Sequence, residues 1–240
     1  MQPFGAALAA FEEGDAGAEL LMHRDDGFSV AIPVSHFFRP VPEEGGLEAV
    51  ALDRCTGRVL DCGAGTGRHA FVLQERGLEV TAIDVCREAV EVMSRRGVRD
   101  ARRADALSFE GGPFDTLLLL GHSIGMVETI AGLDAFLGRL PRLVAPRGQV
   151  LLDSVDVRAT DDPAHLAYHE ANRRAARYVG EIRVALEFRG VRGPPYGWLQ
   201  VDGETLSAHA ERVGWTCEVL AAGEGGERLF RLMPASLPGR

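Results

Sequence analysis

Two aspartates and a run of alternate glycines are the residues best placed to do chemistry. The run Asp-Cys-Gly-Ala-Gly-Thr-Gly spans positions 61–67, and Asp84 follows its last glycine by seventeen residues. Alternate glycines let a backbone turn sharply and approach a ligand that side chains would keep away. A helix after such a turn points free amide groups at the ligand. A carboxylate at position 84 can accept hydrogen bonds from ribose hydroxyls, so the pattern predicts a cofactor that contains a ribose.

The spacing of the glycines separates two classes of cofactor. A dinucleotide-binding turn reads Gly-x-Gly-x-x-Gly. Counted from Gly63, its third glycine would fall at Arg68. Counted from Gly65, it falls at Ala70, a tolerated residue, but the motif then starts late. The acid at position 61 would oppose a pyrophosphate and suits a ligand with a cationic head, so charge and spacing both disfavour a dinucleotide.

The surrounding pattern alternates strands with helices, which is the scaffold that brings strand ends together. Strands are predicted at 59–61, 80–84, 98–102, 114–120, 148–153, 216–220 and 228–233, and helices at 70–76, 88–96, 132–143 and 204–213. Such alternation implies a parallel sheet with right-handed crossovers. A hairpin turn at 223–226 joins the last two strands.

Two less regular segments flank this pattern and are predicted to cap the site. Residues 1–52 contain a short amphipathic stretch at 4–11, closely spaced prolines that prevent a regular helix, and a short helix at 47–52. The second segment is an insertion at about 154–202, with a polar helix at 161–177 and a strand pair at 180–189 and 197–201. Residues 53–240 are then the cofactor-binding domain that carries the insertion.

Taken together, these features resemble the class I S-adenosylmethionine (SAM) dependent methyltransferases. The resemblance runs from about residue 57 to 153 and continues more weakly to 233. It implies a Rossmann-like α/β fold: a seven-stranded, mostly parallel sheet with helices on both faces and the last strand antiparallel. It also implies SAM as methyl donor and S-adenosylhomocysteine as product, and the cationic sulfonium and ammonium groups of SAM suit Asp61.

The resemblance assigns positions to the cofactor. The glycine turn would contact the methionine part, Asp84 the ribose hydroxyls, and an acid after the third strand the adenine amino group. The loop after the fourth strand would lie beside the reactive methyl. The residues expected to contact the cofactor are Asp61, Cys62, Gly63, Ala64, Gly65, Gly67, Asp84, Val85, Ala104, Asp105, Ala106, Leu120 and Gly121.

Three residues are candidates for catalysis. His122 follows the apolar strand at 114–120, so its side chain should reach the cleft, where an imidazole can act as general base. The alternative is a loop histidine that only binds backbone. Asp153, at the end of the fifth strand, and His36 are the other candidates.

The residues expected to contact the methyl acceptor are drawn from the loop after the fourth strand and from the two cap segments. Arg39 could bind an acceptor carboxylate through two parallel hydrogen bonds, whereas either phenylalanine before it could instead fasten the segment to the core. The full set is Phe37, Phe38, Arg39, His122, Ser123, Tyr168, His169, Tyr196 and Trp198.

Two further patterns carry less weight. His165 and His169 have the i, i+4 spacing of metal ligands on a helix, but no third ligand follows at a recognisable spacing, so no metal site is predicted. The fourth strand also ends without an acid, unlike the magnesium-dependent catechol-type O-methyltransferases. The stretch 193–196, Gly-Pro-Pro-Tyr, resembles the motif of amino-directed methyltransferases, but glycine replaces the residue that binds the amine. It is read as a rigid turn.

Composition limits the partners. The net charge is −9 and all 26 basic residues are arginine, which excludes lysine Schiff-base chemistry and disfavours a nucleic-acid substrate. No apolar run approaches the roughly 18 residues of a membrane span, and no basic-then-apolar signal pattern opens the chain. The cysteines form no Cys-x-x-Cys pair and read as small buried hydrophobes in a reducing compartment; they are Cys55, Cys62, Cys86 and Cys217.

We therefore expect a cytoplasmic methyltransferase that acts on an oxygen or nitrogen of a small molecule, with neither nucleic acid nor membrane as partner. Two alternatives stay open. One is a methyltransferase for RNA or protein, and the other is a SAM-binding or nucleotide-binding protein without transfer activity.

Overall fold

The computed structural model describes residues 2–42 and 44–235 and contains two β-sheets. The first position of the predicted segment 1–52 and the last five of the predicted domain 53–240 lie outside the described residues, as does position 43. The strands are β1 (Glu19–Arg24), β2 (Ser29–Pro33), β3 (Arg58–Cys62), β4 (Glu79–Asp84), β5 (Ala101–Arg103), β6 (Phe114–Leu119), β7 (Val144–Val155), β8 (Glu181–Phe188), β9 (Val191–Arg192), β10 (Tyr196–Leu199), β11 (Trp215–Ala222) and β12 (Glu227–Pro234).

Eight α-helices and two 3₁₀ helices connect these strands in the described part of the chain. The α-helices are α1 (Gln2–Glu12), α2 (Gly46–Arg54), α3 (Arg68–Glu75), α4 (Arg87–Arg95), α5 (Ile130–Leu137), α6 (Leu140–Leu143), α7 (Pro163–Arg174) and α8 (Gly203–Arg212). The 3₁₀ helices are Val34–Phe38 and Ser123–Val127. None of the helices described is both long and apolar enough to cross a membrane.

The main sheet has seven strands in the order β11-β12-β7-β6-β3-β4-β5. The pairs β3–β4, β3–β6, β4–β5 and β6–β7 are parallel. The last strand, β12, runs antiparallel to both of its neighbours. The predicted Rossmann-like α/β fold is therefore confirmed, including the direction of the last strand.

Alternate residues of the central strands feed two hydrophobic cores, one on each face of the main sheet. Leu60 and Leu117 belong to the core that includes α5, α6 and α8. Val59 and Leu118 belong to the core that includes α2, α3 and α4. Side chains alternate between the faces of a strand, so a strand covered on both sides is apolar throughout. For this reason the sequence predicts the central strands as continuous apolar runs.

The second sheet joins two distant parts of the chain. Its order is β10-β8-β1-β2, with β9 attached to β8. The antiparallel β1–β2 hairpin comes from the segment before the main sheet, and β8, β9 and β10 come from the insertion after β7. The β8–β10 pair was predicted, but the hairpin was not. The two segments predicted to form a cap thus share one sheet.

Helix α1 fastens the second sheet to the main domain. Leu8 of α1 and Leu20 of β1 share a core with Val92 of α4 and Phe188 of β8. A Cβ at Gly5 would lie 2.8 Å from the Cys86 sulfur, so glycine lets α1 come close to the start of α4. The amphipathic stretch predicted at 4–11 is the middle of this helix.

Several element bounds differ from the predicted ones. The strand predicted at 98–102 is the shorter β5 at 101–103, and two helices differ where proline interrupts the pattern. The helix predicted at 132–143 is split into α5 and α6, and Pro141 lies in the first turn of α6. Proline lacks an amide hydrogen and clashes with the preceding turn, so it begins a helix and cannot continue one. The predicted helix at 161–177 likewise begins at Pro163, after Asp162 caps its amino end.

Candidate functional site

The turn between β3 and α3 depends on its glycines. Gly63, Gly65 and Gly67 have φ angles of 72°, 57° and 77°, a left-handed conformation that strains residues with a Cβ. A Cβ at Gly67 would lie 2.7 Å from a Val98 methyl, so this glycine lets α3 start close to its neighbours. A Cβ at Gly65 would meet nothing within 4 Å. Gly65 therefore presents bare backbone to open space at the carboxyl ends of the strands.

Asp61 is a buried acid with an unused oxygen. It is 1% exposed, and its Oδ2 atom has no hydrogen-bond partner among the described residues. Burial raises the pKa of the Asp61 carboxyl to about 6, while the nearby His69 lowers it. A buried polar atom without a partner is costly. A cationic ligand at the glycine turn would supply the missing partner.

Asp84 ties the glycine turn to the start of α4. Its Oδ2 accepts the Gly65 N–H at 3.0 Å, and its Oδ1 accepts the Cys86 N–H at 2.8 Å. Burial raises the pKa of this carboxyl, and the same backbone hydrogen bonds oppose that rise. Each carboxylate oxygen has two lone pairs, so both can still accept a hydroxyl. Val85 beside it is 44% exposed and offers an apolar surface.

The turn after β5 lies next to Asp84. The Ala104 N–H donates to the Asp84 backbone oxygen at 3.0 Å. Asp105 is exposed, and its Oδ1 accepts the Leu107 N–H at 2.9 Å. All predicted cofactor residues come from the carboxyl ends of β3, β4, β5 and β6; those not yet placed are Cys62, Ala64, Ala106, Leu120 and Gly121.

The loop after β6 is held by Asp153 of β7. Its Oδ1 accepts the His122 N–H at 2.7 Å, and its Oδ2 accepts the Gly121 N–H at 3.1 Å. Burial raises the pKa of Asp153, with the His122 charge and these two hydrogen bonds acting against it. His122 itself has a φ of 61° and precedes the 3₁₀ helix Ser123–Val127. Both oxygens of Asp153 are thus engaged by backbone.

Glu227 faces the His122 ring and was not identified from the sequence. Its Oε1 lies 3.6 Å from His122 Nε2. Glu227 opens β12 and pairs with Val155 at the end of β7. Because β12 is antiparallel, its first residue lies at the carboxyl end of the parallel strands. The predicted antiparallel direction of the last strand was the signal that could have revealed Glu227.

Ser123 lies between the His122 loop and the glycine turn. Its hydroxyl donates to the Leu120 carbonyl at 2.6 Å. A Cβ at Gly63 would lie 3.1 Å from the Ser123 hydroxyl. The structure thus brings His122 and Ser123 together with the predicted cofactor residues.

Residues 34–40, which we call the strap, cross the glycine turn. The Thr66 hydroxyl donates to the Phe37 carbonyl, and Arg68 Nε donates to the Arg39 carbonyl at 2.5 Å. The Glu48 carboxylate anchors this contact. Its Oε2 lies 2.9 Å from Arg68 Nη2, and its Oε1 lies 3.3 Å from His69 Nε2. Burial opposes ionisation of Glu48, but its hydrogen bonds from His69 and Arg68 outweigh burial and hold its pKa well below the usual range.

The aromatic residues of the strap pack against α1. Phe37 meets Phe4 edge to face at 5.2 Å, and Phe38 stacks on Phe11 at 4.6 Å. His36 is exposed overall, and partial desolvation of its ring and the charge of Arg39 lower its pKa. These contacts favour the alternative in which the two phenylalanines attach the segment to the rest of the protein.

The remaining predicted acceptor residues divide between two places. Trp198 of β10 covers the 3₁₀ helix after His122, where a Cβ at Gly125 would clash with the indole. The Tyr196 and Trp198 ring centroids are 6.3 Å apart. Tyr168 and His169 of α7 line a cavity of about 360 Å³ beyond the end of β7. Arg39 lies 3.2 Å from the Glu48 carboxylate, so an internal acid already pairs with it. No group of three or more metal-ligating side chains occurs among the residues described.

Comparison with known proteins identifies the family of this chain and further structures with the same fold. A family model described as a methyltransferase domain matches residues 60–152. A SAM-dependent methyltransferase from Bacteroides fragilis, solved with S-adenosyl-L-homocysteine, is 34% identical, with a TM-score of 0.84 over 97% of this chain and 94% of that one.

Two structures, from a Streptomyces and a Streptoalloteichus species, share the fold at lower identity. The CcbJ methyltransferase from Streptomyces caelestis is 13% identical, with a TM-score of 0.61 over 83% of this chain and 98% of that one. The sugar N-methyltransferase KedS8 from a Streptoalloteichus species is 15% identical, with a TM-score of 0.54 over 79% and 85%. The search of curated proteins found no significant match to the sequence.

Proposed function

Since this chain belongs to the SAM-dependent methyltransferases, we propose that it transfers the methyl group of SAM to an oxygen or nitrogen of a small molecule. One observation carries this proposal: β1 and β2 join β8 and β10 in one sheet against the loops at the carboxyl ends of β6 and β7. A sheet in that position restricts the site to an acceptor small enough to lie beneath it.

The residues of the glycine turn fit SAM. The unused oxygen of Asp61 suits a cationic sulfonium and ammonium, and the bare backbone at Gly65 leaves room for the methionine part. We assign the ribose hydroxyls to Asp84 and the adenine ring to the exposed face of Val85. Asp105 lies on the turn that follows β5, where its carboxylate would accept a hydrogen bond from the adenine amino group.

When bound, SAM supplies an electrophilic methyl: its carbon–sulfur bond breaks as the bond to the acceptor forms, and S-adenosylhomocysteine leaves. The protein's tasks are to align the acceptor and to exclude water. His122 takes the proton of the acceptor at a ring nitrogen. Glu227, 3.6 Å from that ring, stabilises the imidazolium that results. Asp153 is a positioning residue, because both of its oxygens hold the backbone of the His122 loop.

The charge of the surface favours a small acceptor over RNA. A nucleic-acid substrate needs clustered positive charge, and the chain carries a net charge of −9. Two of the five arginines between positions 95 and 103 are paired with acids: Arg102 with Asp100 at 2.6 Å and Arg95 with Glu12. These two ion pairs reduce the positive charge of this face. The His122–Glu227 pair argues for transfer over mere binding.

Calorimetry tests the cofactor assignment. SAM and S-adenosylhomocysteine are expected to bind and NAD is not. Asp61→Ala and Asp84→Ala should each weaken SAM binding at least about tenfold, the value of one lost charged hydrogen bond. Asp53→Ala, which alters an exposed ion pair with Arg76, is the matched control. Unchanged affinity in both site variants would overturn the assignment.

A transfer assay tests the class of acceptor. The enzyme is incubated with SAM labelled on its methyl group and with a cell extract divided by size into metabolites, protein and RNA. Label is expected in the metabolite fraction, and His122→Gln should remove it. Label that enters only the protein or RNA fraction would contradict a small-molecule acceptor.

A further inference from the structure

The cavity beyond the end of β7 is lined by residues of both cap segments. Its volume is about 360 Å³, and β1, β8, α7 and the stretch after β7 supply its walls. Volumes of a few hundred Å³ are typical of pockets for small organic ligands. One part of the wall is apolar and is formed by Met22, Phe28, Val155, Val157 and Ile182.

Two imidazoles also line the cavity. The Nε2 atom of His165 is buried and has no hydrogen-bond partner among the described residues. His169 lies one helical turn further along α7, is 5% exposed and lines the same cavity. The His165 ring meets Phe28 edge to face at 5.2 Å. The cavity is therefore bordered by an aromatic ring and two imidazoles.

The charged groups of the wall are neutralised in pairs. Asp26 accepts two hydrogen bonds from the Arg24 guanidinium, at 2.8 and 2.7 Å. Arg158 in the same way donates to Asp156 at 2.8 and 2.9 Å. Burial lowers the pKa of His169, and the charge of Arg173 adds to this, so its ring is neutral at pH 7. A neutral imidazole offers one donor and one acceptor, and the two charged side chains that line the cavity, Arg24 and Asp156, each already have an ion-pair partner.

The cavity adjoins the pair that removes the proton. Val155 lines the cavity and pairs across the ladder with Glu227, which faces His122. Gly225, in the turn before β12, lines it too. Along β7, Val155 is two residues beyond Asp153, roughly 7 Å at the rise of a strand. His122 and Glu227 do not themselves line the cavity, so a molecule held there would have to extend past Val155 to present one end to His122.

We propose that this cavity holds the body of the methyl acceptor, and that the acceptor is an uncharged, ring-bearing molecule whose hydroxyl group is methylated. The apolar wall takes the ring, His165 and His169 hold polar substituents, and the hydroxyl faces His122. The oxygen gains the methyl group and its proton passes to His122. This inference rests on the proposed function and narrows its acceptor to one chemical class.

Three single-ring probes that differ in charge test the cavity: phenol, benzoate and benzylamine. Each is titrated into the protein saturated with S-adenosylhomocysteine, and the imidazole NMR signals are followed. Phenol is expected to bind at least tenfold more tightly than the two charged probes and to shift the ring signals of His165 and His169. Equal or tighter binding of benzoate or benzylamine would overturn the proposal.

Variants of α7 provide the second arm. The double variant His165→Ala/His169→Ala should lose at least tenfold in phenol affinity and keep its affinity for S-adenosylhomocysteine, which also reports that it folds. Leu166→Gln, an exposed side chain on the same helix, should change neither. Phenol binding that survives the double variant would refute the cavity. Because the readout is binding, methyl transfer to another class of acceptor would contradict the proposed function without changing this result.

Discussion

Asp153 and His122 are joined through the backbone: one oxygen of the carboxylate accepts the His122 N–H at 2.7 Å. His122 has a φ of 61°, a conformation that costs about 1–2 kcal/mol for a residue with a Cβ. The second oxygen holds the Gly121 N–H at 3.1 Å. These two hydrogen bonds offset the strain and fix the loop that carries the candidate base.

Replacing Asp153 with Asn should therefore slow methyl transfer. One of the two backbone N–H groups would face an amide NH₂, a loss of about 1–3 kcal/mol that corresponds to roughly five- to 150-fold in kcat. Steady-state kinetics measure this effect. If Asp153 were itself the base, His122→Gln would leave turnover intact, whereas we expect that variant to be the slower of the two.

Replacing Glu227 with Gln should lower kcat several-fold and leave the affinity for S-adenosylhomocysteine unchanged. The imidazolium formed at His122 would lose the negative charge 3.6 Å from its ring. Both side chains are partly exposed, which limits the size of the effect. Glu218→Gln on the exposed face of β11 is the control. Equal kinetics for the two variants would remove Glu227 from the reaction.

Asp61→Asn should stabilise the cofactor-free protein while weakening SAM binding. Because burial raises the Asp61 pKa from 3.8 to about 6, ionising this residue in the folded state costs about 3 kcal/mol. That cost is present in full well above pH 6, falls as the pH drops toward 4, and disappears below pH 3.8, where the carboxyl is protonated in both states. Thermal unfolding at pH 8 and pH 4 measures the difference. A variant that is less stable than the wild type at pH 8 would contradict this account.

Gly65→Ala should reduce SAM affinity more than it reduces stability. The left-handed φ of Gly65 predicts a strain of about 1–2 kcal/mol, and the new methyl would point into the space left for the cofactor. Gly214→Ala is a matched control, because Gly214 has a φ of 79° and also meets nothing within 4 Å. Both variants should unfold earlier than the wild type, but only Gly65→Ala should bind SAM poorly. Equal SAM affinities would show that Gly65 does not face the cofactor.

Glu48→Gln should destabilise the protein by on the order of 3 kcal/mol, since it leaves Arg68 and His69 without their shared carboxylate. The Glu48 pKa lies well below its ordinary value of 4.5. Its contribution is thus complete above that pH and fades as the pH falls further. Glu91→Gln, which alters an exposed pair with Arg87, should change stability by less than about 0.5 kcal/mol. Urea unfolding at pH 7 and pH 3 compares them.

The main sheet could be predicted because its signals are local. Strands covered on both faces are continuous apolar runs, and the glycine run with Asp61 marks the point where β3 ends. The second sheet has no such signal. Strand β2 is largely exposed and ends at Pro33, so it shows neither a buried run nor clear alternation. Its partner β1 is completed by β8, more than a hundred residues later in the chain.

Only part of the candidate site could be predicted from local signals of this kind. Asp84 ends one strand that the sequence predicts, and His122 comes shortly after another. Their placement at the same edge of the sheet therefore follows from the fold. Glu227 reaches His122 because the antiparallel β12 starts at that edge, which is a property of the sheet and not of the nearby sequence. Glu48 shows no motif at all and is recognisable only once the strap crosses Arg68.

The pairing of β1 with β8 also sets an order of events during synthesis. The hairpin leaves the ribosome early, and β1 then displays an unpaired edge until residues 181–188 have been translated. Such edges recruit strands from other chains. A nascent chain of this enzyme is consequently most prone to aggregate before its insertion has emerged, and that interval is where a chaperone would protect it most.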